Sequence, residues 1–297
     1  MIRILLTGKN GQVGWELQRT LATLGEVIAL DRQGMDLADP DSIRRAVREH
    51  EPGLIVNAAG YTAVDKAEEE PDLAMAINGT APGILAEEAR RLGAAVIHYS
   101  TDYVFDGTKS GPYTEEDAPN PLNVYGRTKL AGERAIQAVG ASFLIFRTSW
   151  VYGTHGRNFL LTILRLAQER DELRIVSDQI GAPTWSRMIS EATAQIVAQV
   201  FSRVVPFPHS LNDISGIYHL TAGGETSWYG FAKAILARYH KPMKSVPRLM
   251  PIGTEEYSAP AARPKNSVLS NEKLNRQFCL SMPRWESGLM FCIDGSA

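Results

Sequence analysis

The chain has 297 residues, 44% of them hydrophobic and 22% charged, which suits a globular protein with one large core, or one core and a smaller lobe. A formal net charge of −2 offers no basic surplus to recruit nucleic acid, and no apolar run reaches the ~20 residues that span a bilayer. Cys279 and Cys292 lack metal-ligand spacing and read as free thiols of a reducing compartment; with no basic, apolar leader, the expected location is the cytoplasm.

Residues 2–7 form a short apolar run that fits a buried parallel strand. Gly8, Gly11 and Gly14 follow at once, and then Val13, Leu17, Leu21 and Leu24 recur at helical spacing, with Gly25 as the expected C-cap. Strand, glycine turn and helix together are the setting of a dinucleotide fingerprint, here spaced Gly-x-x-Gly-x-x-Gly. Glycines let the backbone approach a pyrophosphate, and the helix N-terminus offers it free N–H groups. The second strand, residues 26–30, ends on Asp31 and Arg32. An acidic residue there meets ribose hydroxyls and favours NAD, whereas an arginine meets the 2′-phosphate of NADP, so this pair leaves the preference open. Asp39 and Pro40 read as the N-cap and first residue of a helix running to about His50.

The third strand, residues 54–57, leads into Ala58, Ala59 and Gly60, small residues suited to lying beneath a cofactor. The charged run 65–70 fits a solvated face, and residues 71–92 read as one long helix. A fourth strand, 95–99, carries Ser100, Thr101, Asp102 and Tyr103 at its carboxyl end, where open α/β sheets bind ligands. Residues 107–123 look like a long loop over that edge. Tyr125 and Lys129 then stand one helical turn apart. A nearby ammonium favours the phenolate and lowers the tyrosine pKa from its usual value of about 10, which would make a tuned acid/base; by spacing alone the pair equally fits a solvated helix face.

A fifth strand is expected at 142–146, helices at 159–170, 186–201 and 227–239 (the last capped by Ser227), and a further strand at 217–220. Residues 178–184 read as a turn-rich connection, and the proline-rich 247–265 as coil over a cleft. The alternation implies an α/β fold: a Rossmann-type doubly wound parallel sheet with a smaller C-terminal α/β substrate-binding lobe. The division expected is a dinucleotide-binding domain over 1–153 plus part of 154–225, with the smaller lobe interleaved within 154–297.

The glycine turn, Asn57-Ala58-Ala59, Ser100-Thr101-Asp102-Tyr103 and Tyr125-x-x-x-Lys129 together resemble the extended short-chain dehydrogenase/reductases. The stretches 8–17, 99–106, 123–133, 146–152, 178–184 and 263–267 narrow the likeness to the dTDP-4-dehydrorhamnose reductase family, in that family's order from residue 2 to about 290. The resemblance implies NADPH-dependent reduction of the C4 ketone of dTDP-4-dehydro-β-L-rhamnose, with NADH also accepted. It makes Tyr125 the general acid, with Lys129 tuning it and meeting the nicotinamide ribose, and Thr101 the holder of the carbonyl oxygen. It gives the cofactor Gly8, Asn10, Gly11, Gln12, Val13 and Gly14 at the pyrophosphate, Asp31, Arg32, Asp36 and Leu37 at the adenosine, and Ala58 and Ala59 beneath. Substrate contacts fall to Thr101, Asp102, Tyr103, Trp150 and Arg263.

Two alternatives share the motifs: another nucleotide-sugar reductase or epimerase of the same fold, and a non-catalytic relative resembling the regulatory β subunit of methionine adenosyltransferase. A dehydratase would add an acidic pair after Thr101, where this chain has Asp102 and then Tyr103. The partner implied is a small nucleotide-sugar substrate, with neither nucleic acid nor membrane. Some such reductases form dimers bridged by Mg²⁺ through three glutamates; here Glu16 and Glu286 match two, but Arg187 falls at the third. A guanidinium cannot ligate a cation, so no Mg²⁺ is expected, and Arg187 would instead pair with Glu16 or Glu286 in a monomer or a metal-free homodimer. The tail after Trp285-Glu286 departs from the family, carrying Cys292 and Gly295 where an amphipathic helix is expected to continue.

Overall fold

The computed structural model describes residues 2–201, 211, 213–239 and 246–295. Strands β1 (Ile2–Thr7), β2 (Gly25–Leu30), β3 (Leu54–Asn57), β4 (Ala95–Thr101) and β5 (Ser142–Thr148) alternate with helices α1 (Gln12–Thr20), α2 (Pro40–His50), α3 (Val64–Ala67), α4 (Pro71–Met75), α5 (Ala81–Leu92) and α6 (Val124–Val139). Then follow β6 (Val151–Tyr152), α7 (Phe159–Glu169), β7 (Glu172–Val176), β8 (Ile180–Gly181), β9 (Thr184–Trp185), α8 (Ser186–Val200), β10 (Gly216–His219), β11 (Thr226–Ser227), α9 (Trp228–Arg238), β12 (Arg248–Ile252), α10 (Glu272–Phe278) and α11 (Trp285–Asp294).

The main sheet has six parallel strands in the order β10-β5-β4-β3-β1-β2. Because helices cover both faces, the strands are largely apolar on both sides, with buried polar residues such as Asn57 and His98 toward their carboxyl halves. Ile4 and Leu6 join Ile97, Leu144 and Phe146 on one face, against Leu17 of α1 and Ile189 and Ile196 of α8. Leu5, Ile55, Val96 and Ile145 take the other, against Ile43 and Val47 of α2 and Leu85 and Ala89 of α5. The chain leaves β1 for β2 on one side and returns to β3 on the other, so the order reverses at β1/β3 and opens a crevice at the carboxyl ends. A third core, including Tyr152, Leu160, Ile163, Phe231, Ile235, Trp285 and Leu289, joins α7, α9 and α11. The second half is woven into the first, since β10 pairs with β5 along the sheet edge.

Several local expectations need correction. Gly25 does not cap α1, which ends at Thr20; it opens β2, where a Cβ would lie 2.4 Å from the Ile2 carbonyl oxygen. The stretch 71–92 is helical throughout but passes through a π-helical segment, Ala76–Thr80. That extra residue per turn turns Asn78 inward, where its side chain bonds the backbone N–H and carbonyl of Tyr61 and the Thr128 hydroxyl. Residues 248–252 are strand rather than coil, paired in parallel with β7, itself unforeseen. Pro251 is tolerated because each strand of a two-stranded ladder is an edge, and its missing donor faces outward. The C-terminal helix does continue, as α11, with Cys292 buried on its inner face.

Candidate active site

The glycine turn is built around close backbone approach. Gly8 has φ +73°, and a Cβ there would lie 2.7 Å from the Ala59 nitrogen; at Gly14 it would lie 2.1 Å from the Gly8 carbonyl oxygen. Gly11 is the N-cap of α1 and supplies no side-chain acceptor, so the first N–H groups of the helix are left to a ligand. This cradle fits a pyrophosphate. Ala58 and Ala59 pass directly beside Gly8, and the Ala59 N–H donates to the Thr7 hydroxyl (3.2 Å). The Gln12 side chain is committed elsewhere: it donates to the Val151 carbonyl (3.2 Å) and accepts from Asn158 (2.9 Å). Val13 packs against the core, so Gln12 and Val13 can serve the cradle only through their backbone N–H groups.

At the end of β2, Lys9 lies 3.1 Å from the Asp31 carboxylate, whose other oxygen accepts from the Gln33 and Gly34 N–H groups. The Lys9 ammonium, with those N–H groups, holds the Asp31 carboxyl below the usual carboxylate range. Arg32 pairs with Asp36 at 3.2 Å. The side chain of Leu37 lies in the core, which leaves its backbone to border an adenine. Lys9 was not singled out from the sequence; an ion pair between a turn residue and the end of the next strand has no local signature.

The carboxyl end of β4 turns directly into a short 3₁₀ segment, Asp102–Val104, capped by Thr101, whose hydroxyl accepts from the Tyr103 N–H (3.1 Å) and donates to Asp102 (3.0 Å). Burial pushes the Asp102 carboxyl up to about 7, against the lowering effect of the Ser267 and Thr101 hydroxyls. Tyr103 and Tyr125 meet edge to face, ring centroids 5.8 Å apart. Asn123 caps α6 by accepting from Gly126, and it fixes Tyr125 in the first turn beside Thr101. Burial pushes the Tyr125 hydroxyl up to about 12, partly offset by the Thr101 hydroxyl and reinforced by Asp102.

Lys129 is buried, and its amine donates to the Tyr99 carbonyl (2.6 Å) and meets His98 Nε2 (3.2 Å). Burial pulls it down to about 8, opposed by the Glu133 carboxylate. Burial dominates both groups, so Tyr125 is raised beside Lys129, the reverse of the lowering expected from the spacing. One turn further, Glu133 forms a buried bidentate pair with Arg147 of β5 (2.9 and 2.6 Å) and accepts from Ser100, tying α6 to the two strands it crosses.

Trp150 takes φ +45°, a left-handed backbone rare for a bulky residue. Its ring lies flat on Trp228, centroids 3.5 Å apart and 3° from parallel, and a Cβ on Gly181 would lie 2.4 Å from it. Arg263 pairs with Asp65 at 2.8 Å, and its positive charge acts on the Tyr103 hydroxyl. Sequence reading missed Trp228, although its place just after the Ser227 cap was legible. It also missed Asn158, which ties the 153–158 loop to Gln12, and His155, which stacks on Trp15 at 4.2 Å.

Arg187 does not meet Glu16 or Glu286. It pairs with Glu191 one turn along α8 (2.9 Å), and Glu286 pairs with Arg284 (3.1 Å). The nearest opposite charge on its own helix satisfies the guanidinium first.

The chain matches the family described as RmlD substrate binding domain over residues 2–297, and it belongs to that family. It is similar to the dTDP-4-dehydrorhamnose reductase of Burkholderia thailandensis, 48% identical over 98% of each chain. The enzyme of the same name from Escherichia coli K12 is 46% identical over 97% of this chain and 96% of its own. Among solved structures, a Bacillus anthracis dTDP-4-dehydrorhamnose reductase in complex with NADP superposes with a TM-score of 0.89 at 35% identity, over 99% of both chains. The family expected from the motifs is thus the family found.

Proposed function

We propose that this chain is an NADPH-dependent oxidoreductase that reduces the C4 ketone of dTDP-4-dehydro-β-L-rhamnose to give dTDP-L-rhamnose. The observation that carries the reading is the convergence of Thr101, Tyr103 and Tyr125 on the carboxyl edge of β4, beside a glycine cradle shaped for a pyrophosphate. Full-length similarity to reductases of that name supports the substrate class. When bound, the reduced nicotinamide supplies the hydride.

The protein's part is orientation and the proton. Thr101, once its hydroxyl turns from Asp102, donates to the C4 oxygen as negative charge develops there. Tyr125, pushed up to about 12, stays protonated throughout the neutral range and is poised to donate rather than to accept. The tyrosinate left behind is costly in a buried site, and the ammonium of Lys129, one turn along α6, offsets it. Gly8, Asn10, Gly11, Gln12, Val13 and Gly14 hold the pyrophosphate, chiefly through backbone; Asp31, Arg32, Asp36 and Leu37 bound the adenosine. Neutralisation of Asp31 by Lys9 weakens the carboxylate's case for a bare ribose and favours the 2′-phosphate. Asp102, Tyr103, Trp150 and Arg263 line the sugar-nucleotide side. The dinucleotide domain carries the sheet and the third core marks the smaller lobe, with the cleft between them.

Purified protein is expected to oxidise NADPH only when a dTDP-4-keto-6-deoxy sugar is added. NADPH turnover with a different class of carbonyl and none with this sugar would overturn the reading.

A further inference from the structure

Behind Lys129, a chain of buried polar side chains runs across three strands to the start of the glycine turn. Lys129 Nζ lies 3.2 Å from His98 Nε2; His98 Nδ1 lies 3.0 Å from Asn57 Nδ2; the Thr7 hydroxyl donates to Asn57 Oδ1 at 2.7 Å. Thr7, Asn57, His98 and Lys129 are each at most 4% exposed. An all-apolar strand would satisfy the sheet, so a histidine at this depth needs its hydrogen bonds.

We propose that His98 is a positioning residue for Lys129, holding the amine through an imidazole whose tautomer follows the charge of the amine. The proposal rests on the reading of Lys129 as the partner of Tyr125.

Burial first, and then the charge of Lys129, push the His98 imidazole well below its ordinary value, so the ring is neutral and carries one hydrogen. A charged ammonium has no lone pair and must donate to Nε2, which places the ring hydrogen on Nδ1 and requires the Asn57 oxygen to face it. A neutral amine can accept instead. Nε2 then carries the hydrogen, Nδ1 accepts from Asn57 Nδ2, and Asn57 Oδ1 accepts from Thr7. The amide stands in this second arrangement in the structure.

Both states leave Lys129, His98 and Asn57 paired; in the first, the turned amide donates to the Thr7 hydroxyl, whose own hydrogen gives up its Asn57 acceptor. Passing from the first to the second, one Nζ proton leaves on the cleft side, to the tyrosinate or to solvent. Nδ1 releases its hydrogen to solvent by exchange and Nε2 takes one up, so the ring keeps a single hydrogen; the amide turns over, and the imidazole is uncharged before and after. Few other charges intrude. α6 presents Tyr125 and Glu133, the latter committed to Arg147 of β5; the turn after β4 presents Asp102 and Tyr103; β3 and the π-helical segment present the amides of Asn57 and Asn78.

The test is the ¹⁵N spectrum of the His98 ring in the intact, NADP-loaded protein, from about pH 6 to about pH 10. The expected result is a change from the Nδ1–H to the Nε2–H tautomer with one midpoint, shared with the Lys129 amine, which burial pulls below its ordinary value. In Lys129→Met the ring should hold one tautomer throughout. In His98→Gln, whose amide oxygen can accept from the ammonium, the alkaline limb of turnover should shift while the fold is retained. A wild-type ring fixed in one tautomer over the whole range overturns the proposal, as does formation of the imidazolium. The spectrum needs no sugar substrate: a protein inactive on the sugar whose ring still switches would refute the proposed function and keep this inference, and an active reductase with a fixed ring would do the reverse.

Discussion

Trp150 and Trp228 lie face to face with ring centroids 3.5 Å apart, and Trp150, proposed as a sugar-nucleotide contact, takes a left-handed backbone conformation in that stack. An aromatic pair contributes ~0.5–1.5 kcal/mol beyond area burial. Trp228→Leu should therefore raise the KM for the sugar nucleotide by about 3- to 10-fold and leave that for NADPH unchanged. Gly181→Ala should act in the same direction, because its Cβ would occupy the place of the Trp150 ring. Steady-state kinetics with each substrate varied separately checks both, and a change confined to the NADPH KM would show that the stack serves the cofactor.

With Asp31 engaged by Lys9, the proposed adenosine site leaves cofactor choice to Arg32. Arg32→Ala should raise the KM for NADPH by about 10-fold, the loss of one charge-assisted contact, and leave NADH nearly unchanged. Equal effects on the two cofactors would place Arg32 away from the 2′ position.

Asp102 gives a pH signature in stability. Its folded carboxyl is pushed up to about 7 from an ordinary 3.8, so between those values the folded state holds more protons than the unfolded one. Stability contributed by this group is present below pH 3.8 and falls as pH rises toward 7. Asp102→Asn removes the buried charge, so its Tm relative to wild type should be higher at pH 8 than at pH 5. Thermal melts at both values decide, and a constant difference would mean that Asp102 ionises freely in the fold.

Among the described residues no group of three or more His, Cys, Asp or Glu side chains could hold a metal ion, and Arg187 is taken up by Glu191. Turnover is expected to be unchanged after treatment with EDTA. Reversible loss of activity restored by Mg²⁺ would show that Glu16 and Glu286 recruit an ion despite the arginine.

Strands β1 to β5 were legible because parallel strands buried on both faces are largely apolar runs, and the caps Asp39 and Ser227 carry their own chemistry. Asn123 is visible in the sequence only inside the motif stretch 123–133; its capping of Gly126 is what fixes Tyr125. The two-stranded pieces were not legible, since β7 and β12 pair across about 75 residues and one of them contains Pro251. The π-helical segment leaves no periodicity that differs from an α-helix over five residues. In the site, Thr101, Tyr125 and Lys129 could be found from spacing and resemblance. His98, Lys9 and Trp228 could not, because each matters through a residue distant in sequence.

The Tyr125 hydroxyl is proposed to deliver the proton to the C4 oxygen. Tyr125→Phe removes that hydroxyl and little else, so NADPH affinity and Tm should stay near wild type while kcat falls by about 100- to 10,000-fold, the usual worth of a general acid. The decisive measurement is kcat for dTDP-4-dehydro-β-L-rhamnose in Tyr125→Phe beside wild type, with NADPH binding measured on the same preparations. A variant that binds NADPH normally and scarcely turns over agrees with the account, and one that retains near wild-type turnover contradicts it.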